Sequence, residues 1–240
     1  MGNSRDQFDC RYYSIEKMEK YYKNLGFYFL SLVLFVAMGF YYPYFSLFPR
    51  FESVTAIVHV HAITLMVWVF ILIAQPLLIR YKKYKLHRLL GKFTYFLLPL
   101  VILSSIGVVR KQYLEGLEAG KSPTLSFEAV FTSFSGLITI PIYYGAAIFY
   151  ILRRNTAMHM RFMICLFLEF IPPTFGRTLG YWLNIRQFYT YNASVLLATL
   201  ILVFLMIADK KRNQNFKPYL VALSLYLVVN VTWYAMGHPI

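Results

Sequence analysis

The sequence contains few charged residues and very few acidic ones. Only 14% of its 240 residues are charged, and Asp and Glu number 10 against 24 Lys and Arg. A soluble domain has about 25% charged residues, so this chain has too few charges to cover a surface that faces water. Because 59% of the residues are hydrophobic and the mean hydropathy is +0.53, we predict that lipid surrounds most of the chain.

Motifs for several kinds of chemistry are also missing. The two cysteines, Cys10 and Cys165, lie far apart and neither belongs to a Cys-x-x-Cys motif, so we predict neither a disulfide framework nor a thiolate metal site. The sequence has no nucleophile elbow and no nucleotide-binding loop. A zinc site needs three converging ligands, and the residues near the outer membrane face offer one firm histidine, His61. His61 and His238 could form a haem-ligating pair near the outer face, but His238 lies almost at the C-terminus and is a doubtful ligand. No metal is therefore predicted, and whether the chain is an enzyme stays open.

The apolar residues fall into seven segments, each long enough to cross a bilayer. A spanning helix needs about 20 mostly apolar residues. We therefore predict an all-α, polytopic membrane protein with a polar cytoplasmic segment, residues 1–25, and a single transmembrane domain, residues 26–240. The predicted spans lie at about residues 26–47, 55–80, 91–109, 128–152, 158–183, 192–208 and 217–237.

Most of the Lys and Arg residues lie in alternate loops, as in segments 80–92, 153–161 and 210–217. Because basic loops stay in the cytoplasm, this pattern predicts a cytoplasmic N-terminus and an external C-terminus. It also argues against nucleic acid as a partner, because the positive charge is spread along one membrane face. The lipid bilayer is the expected partner, a small-molecule ligand stays open, and the sequence does not indicate an oligomeric state.

Ionisable side chains within the predicted spans are the first candidates for a site, because in lipid they are costly and face the protein interior. His61, Trp68 and Gln75 recur every seven residues along the second span and so share one stripe. At 1.5 Å per residue, His61 and Arg177 both lie about 9 Å below the outer face, with Glu169 deeper. The candidate intramembrane site comprises His61, Gln75, Glu169, Arg177 and Asn230.

Structural roles are the alternative for these residues. Glu169 and Arg177 are two helical turns apart and either pair with each other or bond carbonyls freed by Pro172 and Pro173. His59 is two residues from His61, which places it on nearly the opposite side of the helix. We interpret His59 as a residue of the outer interface.

Two further histidines, His87 and His159, each begin a helix at the cytoplasmic level, with Arg88 and Arg161 nearby. Two imidazoles at one depth on different helices suit ligation of haem b, and the arginines suit its propionates. The alternative is that these four residues hold phospholipid head groups, which is the commoner role at this depth.

The segments that carry His87 and His159 also resemble each other. The turns KLHRLLGK and AMHMRFMI each join two spans and place a histidine at the start of the second. Such repeats often form a site at their interface. The same residues also suit simple contact with lipid head groups, so an internal duplication stays open.

The run HVHAITLMVWVFILIAQPLLI…LHRLLGK, followed by HMRFMI and PPTFGRTLGYW, resembles a pattern in uncharacterised bacterial multi-pass predicted membrane proteins. In that pattern a His-rich helix start and a downstream Gln precede a Leu-His-Arg-x-x-Gly turn, and a His-x-x-x-Met segment leads to an intramembrane Arg. The resemblance covers about residues 59–182. It implies a multi-pass protein of the bacterial inner membrane with unknown activity, and it supplies no catalytic residues. The matching positions are His61, Gln75, His87, Arg88, Gly91, His159, Met163 and Arg177.

These observations favour an intramembrane polar site that binds a small ligand, quinone or haem, in redox or proton-linked work. In that hypothesis His61 and Glu169 handle protons, and Arg177 binds an anionic or carbonyl group. A transporter or channel is the first alternative, because broken helices and a midplane Glu169 suit it. A structural or assembly subunit without a site of its own is the second.

Overall fold

The computed structural model describes residues 22, 24–52 and 54–236. Most of the N-terminal segment, including Cys10, and also His238 lie outside the described residues. Within them the chain forms α-helices and one short 3₁₀ helix, and no strand. In chain order the elements are α1 (Leu25–Tyr41), the 3₁₀ helix Phe45–Leu47, α2 (Ala56–Arg80), α3 (Tyr84–Glu118), α4 (Pro123–Leu152), α5 (Thr156–Leu168), α6 (Ile171–Leu183), α7 (Gln187–Lys211) and α8 (Lys217–Ala235).

The helices form a bundle suited to a membrane. Among the described residues, six helical units are long and apolar enough to cross a bilayer, with α5 and α6 counted as one unit. The remaining helix, α1, is apolar and has 17 residues, at the lower limit for a spanning helix. The helices expose large apolar side chains such as Phe70, Phe96 and Phe204 to their surroundings. The predicted all-α, multi-pass architecture is confirmed.

Several helices end at residues that differ from the predicted boundaries. α3 has 35 residues, or about 52 Å at 1.5 Å per residue, whereas the hydrocarbon core is about 30 Å thick. The predicted span 91–109 covers only its apolar part, and Lys111 and Glu115 form an ion pair one turn apart in the extension. The predicted span 26–47 is too long, because α1 ends at Tyr41 and Pro43 has no N–H group to continue the helix.

The interrupted span formed by α5 and α6 lies at the centre of the bundle. Half of its apolar stretch is buried inside the protein, compared with 22–28% in the other five spans. α5 packs against α4 and α8, and α6 packs against α1 and α7. The interruption between α5 and α6 therefore lies where side chains of α1, α4, α7 and α8 can contribute to a site.

Proline chemistry explains the interruption. Pro172 lacks the N–H group that would bond to the Leu168 carbonyl in a continuous helix. The hydroxyl of Tyr226, on α8, donates a hydrogen bond to that carbonyl at 3.3 Å. The broken span is thus stabilised from a neighbouring helix, as the lack of water in lipid requires. The break places Glu169 between two helices rather than within one.

Candidate functional site

A cavity of about 460 Å³ lies inside the bundle, at the end that contains the α1–α2 loop. We call it the large cavity. Its volume falls within the range of about 300–1,000 Å³ that is usual for small-molecule sites. Most of its walls are apolar side chains. The polar residues at its walls include four of the five candidates, namely His61, Glu169, Arg177 and Asn230.

His61 is oriented by hydrogen-bonding groups on α3. Its Nδ1 atom lies 3.3 Å from the Ser104 hydroxyl and 3.4 Å from the Ser105 hydroxyl. Both hydroxyls also donate to the Val101 carbonyl, which can only accept. Since each hydroxyl has a single proton, Nδ1 of the neutral imidazole is the donor towards the serine oxygens. Nε2 therefore carries the lone pair and is left for a group in the large cavity.

Arg177 is held by the helix that carries it and by an aromatic ring. Its Nη1 atom donates to the Pro173 carbonyl at 3.2 Å, and its guanidinium lies 4.8 Å from the Phe40 ring centroid. His61 is an electrostatic neighbour. Within residues 22, 24–52 and 54–236, Arg177 forms no ion pair. An arginine has five N–H donors, so several of them remain for a ligand.

Glu169 has one carboxylate oxygen with a partner and one without. Thr139 donates to Oε2 at 2.8 Å. Oε1 and the Tyr143 hydroxyl are both buried without a well-formed hydrogen bond among the described residues, and the two groups lie close enough for the hydroxyl to interact with the carboxylate. Buried polar atoms without partners are rare in folded proteins and call for an explanation. The predicted alternative, in which Glu169 and Arg177 pair with each other, is not found in the described part of the chain.

Asn230 forms part of the wall but its amide is already bonded. It accepts a hydrogen bond from the Tyr191 hydroxyl at 3.3 Å and donates to the Tyr226 carbonyl at 2.7 Å. These bonds join α7 to α8 beside the large cavity. We therefore assign Asn230 a positioning role rather than direct ligand contact.

His59 lies apart from this group. Its Nδ1 atom is 2.9 Å from the Tyr44 hydroxyl, in the α1–α2 loop, and its ring packs edge-on against Phe51. It is not among the described residues that line the large cavity. The two histidines, two positions apart, thus have different surroundings, and His59 serves as a control that contacts the wall of the large cavity only through Tyr44.

Gln75 lies in a second cavity of about 280 Å³, near the ends of α2, α3, α4 and α5 that carry the basic loops. We call it the small cavity. Fourteen residues separate His61 from Gln75, and at 1.5 Å per residue this places them about 21 Å apart along the helix. Although His61 and Gln75 lie on the same face of α2, they therefore belong to different cavities. The walls of the small cavity include Gln75, His87, Arg88, Gly91, Lys92, His159 and Met163, together with the hydroxyl-bearing residues Thr94, Tyr95 and Tyr144.

The two histidines of the small cavity have different hydrogen bonds. Nδ1 of His159 lies 3.0 Å from the Ala147 carbonyl and must be the donor, so Nε2 is left for the cavity. Nδ1 of His87 is buried without a partner among the described residues, as is Oε1 of Gln75. Nε2 of Gln75 donates to the His87 carbonyl at 3.2 Å.

The small cavity, at about 280 Å³, lies just below the range of about 300–1,000 Å³ that is usual for small-molecule sites. Ligation of haem b by His87 and His159 stays a prediction. Among the described residues, no group of three His, Cys, Asp or Glu side chains is arranged for a metal ion.

Arg161 does not line the small cavity, although the sequence placed it with His159. Its Nε atom lies 2.5 Å from Oδ2 of Asp209, and both side chains are almost fully buried. The Tyr22 hydroxyl donates to the other oxygen of Asp209 at 3.0 Å and lies 3.3 Å from the Tyr219 hydroxyl. Burial raises the pKa of Tyr22 to about 12, so its hydroxyl remains a donor at neutral pH.

The sequence analysis missed Asp209 because it stands directly before Lys210, Lys211 and Arg212 and looks like part of a basic loop. The only signal was an isolated acidic residue at the end of an apolar helix. Thr139 and Tyr143 were also missed, since hydroxyl groups are common in apolar helices. Thr139 and Tyr143 belong to the site because their hydroxyls interact with Glu169, which lies at the end of a neighbouring helix.

The fold and the cavities define a polytopic α-helical membrane protein with two cavities, each lined in part by polar side chains. The chain matches no protein-family model, no curated protein and no solved structure. The resemblance described above therefore stays a prediction. Each of its eight positions lines one of the two cavities, with His61 and Arg177 in the large cavity and the other six in the small cavity.

Proposed function

We propose that this protein binds a small amphipathic molecule of the quinone type in the large cavity, and that His61 and Glu169 exchange protons with it. The observation that supports this proposal is the convergence of His61, Glu169 and Arg177 on one cavity. Ionisable groups at membrane depth are costly, and three that share a cavity without neutralising one another are best explained by a ligand. The apolar walls suit the ring and the chain of such a molecule.

Each polar group has a distinct role in this proposal. Arg177 donates hydrogen bonds to a carbonyl or anionic oxygen, because its remaining N–H groups have no acceptor in the described structure. Nε2 of His61 accepts a proton or a hydrogen bond from the ligand, while Ser104 and Ser105 hold the ring. Oε1 of Glu169 is the second proton-exchanging atom, and Thr139 fixes the carboxyl group through its other oxygen.

We further propose a location in the bacterial inner membrane, with the N-terminus in the cytoplasm. The basic loops at segments 80–92, 153–161 and 210–217 support this orientation. The resemblance to bacterial multi-pass membrane proteins supports the choice of membrane.

Ligand binding by purified protein in detergent tests the proposal. A short-tailed, water-soluble quinone is titrated against the full chain, and binding is followed by calorimetry. Because a hydrogen bond to a charged group contributes about 1.5–3 kcal/mol, we expect Arg177→Gln and Glu169→Gln each to weaken binding by about tenfold to a hundredfold.

Matched variants control for nonspecific effects. Arg110→Gln removes an exposed arginine of α3 that does not line the large cavity, and His59→Gln is paired with His61→Gln. We expect both controls to bind with unchanged affinity. A quinone that does not bind, or that binds equally to all variants, would overturn the proposal. If the site variants then change only thermal stability, the structural-subunit hypothesis is favoured instead.

A transporter is the second candidate, and the interruption between α5 and α6 favours it. Transporter sites commonly lie at discontinuous helices near the bilayer midplane, and Glu169 lies at such a break. Ser135→Cys, in a chain with Cys10 and Cys165 replaced, places a thiol at the wall of the large cavity. Labelling by a membrane-impermeant reagent from both faces supports alternating access. Labelling from one face or neither contradicts it.

A further inference from the structure

The small cavity has the positive charge and the unpartnered imidazole nitrogen of an anion site. We propose that it binds a phosphate group, carried by an anionic lipid of the basic membrane face or by a soluble phosphate compound. The residues that would bind it are Gln75, His87, Arg88, Lys92 and His159. This inference is independent of the ligand in the large cavity.

The charges at the wall all have one sign. Arg88 and Lys92 both line the small cavity, and none of the described residues that line it is Asp or Glu. The two cationic residues are four positions apart, so they lie on the same face of α3. Both are exposed, which leaves their side chains free to reach a ligand that enters from the membrane surface. Basic pockets between helices at this depth are suited to lipid phosphates.

The deeper polar atoms await a partner. Nδ1 of His87 is buried without a hydrogen-bond partner among the described residues. Nε2 of Gln75 donates one of its two N–H groups to the His87 carbonyl, which leaves the other for a ligand. Oε1 of Gln75 is an acceptor and therefore does not contact the anion directly. The Ala147 carbonyl holds the His159 ring so that Nε2 is left for the cavity. A phosphate accepts hydrogen bonds from imidazole N–H groups, from the guanidinium and from the ammonium, and charge-assisted bonds of this kind are the strong ones.

A cation is a poorer ligand for the same residues. His159 and Met163 are four positions apart and share a face of α5, which with His87 would offer two nitrogens and one thioether to a soft metal ion. The charges of Arg88 and Lys92 at the same wall repel a cation. The charge pattern therefore favours the anion.

Gly91 provides a way to fill the small cavity without disturbing the helix. It lies within α3 at the cavity wall, and a Cβ atom built there meets only Nε2 of Gln75, at an ordinary 3.8 Å. Gly91→Leu therefore places a side chain in the cavity itself. The variant blocks the site sterically, whereas Arg88→Gln removes one of its charges.

Native mass spectrometry of the full-length protein tests the proposal. The wild-type protein is mixed with phosphatidylglycerol or with diacylglycerol, which has the same acyl chains but no phosphate. We expect retention of phosphatidylglycerol alone, and a loss of about tenfold in Arg88→Gln and in Gly91→Leu, since a charged hydrogen bond contributes roughly that factor. Lys85→Gln is the control, because Lys85 is exposed in the same turn and does not line the small cavity.

Thermal unfolding with inorganic phosphate separates the two sources of the phosphate group. Stabilisation that is lost in both site variants supports a soluble compound, and retention of the lipid without such stabilisation supports a lipid. Equal retention of phosphatidylglycerol and diacylglycerol, or retention unchanged in Arg88→Gln and Gly91→Leu without any response to inorganic phosphate, would overturn the proposal. Quinone binding is also measured in the Gly91→Leu protein. Because Gly91 lines only the small cavity, quinone binding that persists there shows that a failure of the phosphate proposal leaves the proposal for the large cavity intact.

Discussion

At the residue scale, the ionisable side chains inside the bundle fall into two groups. Arg161 and Asp209 satisfy each other in a buried pair supported by Tyr22, so their structural role accounts for them. Glu169 and Arg177 do not pair with each other: Oε1 of Glu169 makes no well-formed hydrogen bond in the described structure, and Arg177 donates to a carbonyl of its own helix. Residues of the second group are the better candidates for function, because a polar atom left unsatisfied in the interior lowers stability.

The buried ion pair should behave as an anchor for the bundle. Asp209→Ala leaves the Arg161 guanidinium buried without its carboxylate, and we expect a destabilisation of about 3–5 kcal/mol. Thermal unfolding in detergent measures the change. Arg153→Ala, at an exposed position near the same end of the bundle, should change stability by less than about 0.5 kcal/mol. Equal effects of the two variants would contradict the anchoring role.

Glu169 should respond in the opposite way. Glu169→Gln keeps the shape of the side chain and replaces a carboxyl group that has one unpartnered oxygen. We expect stability to stay the same or to increase by about 1 kcal/mol, while ligand binding weakens, because functional sites often lower stability. Thermal unfolding without ligand checks this outcome. A marked loss of stability would indicate that Glu169 is a structural residue.

At the element scale, the interruption between α5 and α6 is built from two complementary features. Proline at position 172 removes one backbone donor, and Tyr226 supplies a hydroxyl in its place. The two residues are on different helices, so the sequence indicated an irregular fifth span but not the residue that stabilises it. The predicted depths of His61 and Arg177 agree with a shared cavity because a fixed rise per residue converts sequence position into depth.

A double-mutant cycle should reveal this coupling. Tyr226→Phe leaves the Leu168 carbonyl without its donor, and we expect a loss of about 1 kcal/mol in thermal unfolding. In a Pro172→Ala background, the new backbone N–H group can bond to the same carbonyl, so Tyr226→Phe should cost less. An effect of Tyr226→Phe that is equal in both backgrounds would show that the two features are independent.

At the scale of the whole molecule, hydropathy and chain geometry predicted the architecture well. Long apolar segments must form helices in lipid, since every backbone group needs an internal partner. Contacts between helices were harder to predict, because they depend on rotation and packing. Gln75 shares the stripe of His61 but lies in the small cavity, and Arg161 shares a helix turn with His159 but turns to Asp209.

The most direct test of the central claim is to locate the ligand on the chain. A quinone that carries a photoreactive group is irradiated with the purified protein, and the labelled peptides are identified by mass spectrometry. We expect labels within segments 101–109, 132–140 and 171–177, which line the large cavity, and we expect an excess of unlabelled quinone to suppress them. Labels confined to the exposed apolar side chains of segment 196–207, without competition, would contradict the claim.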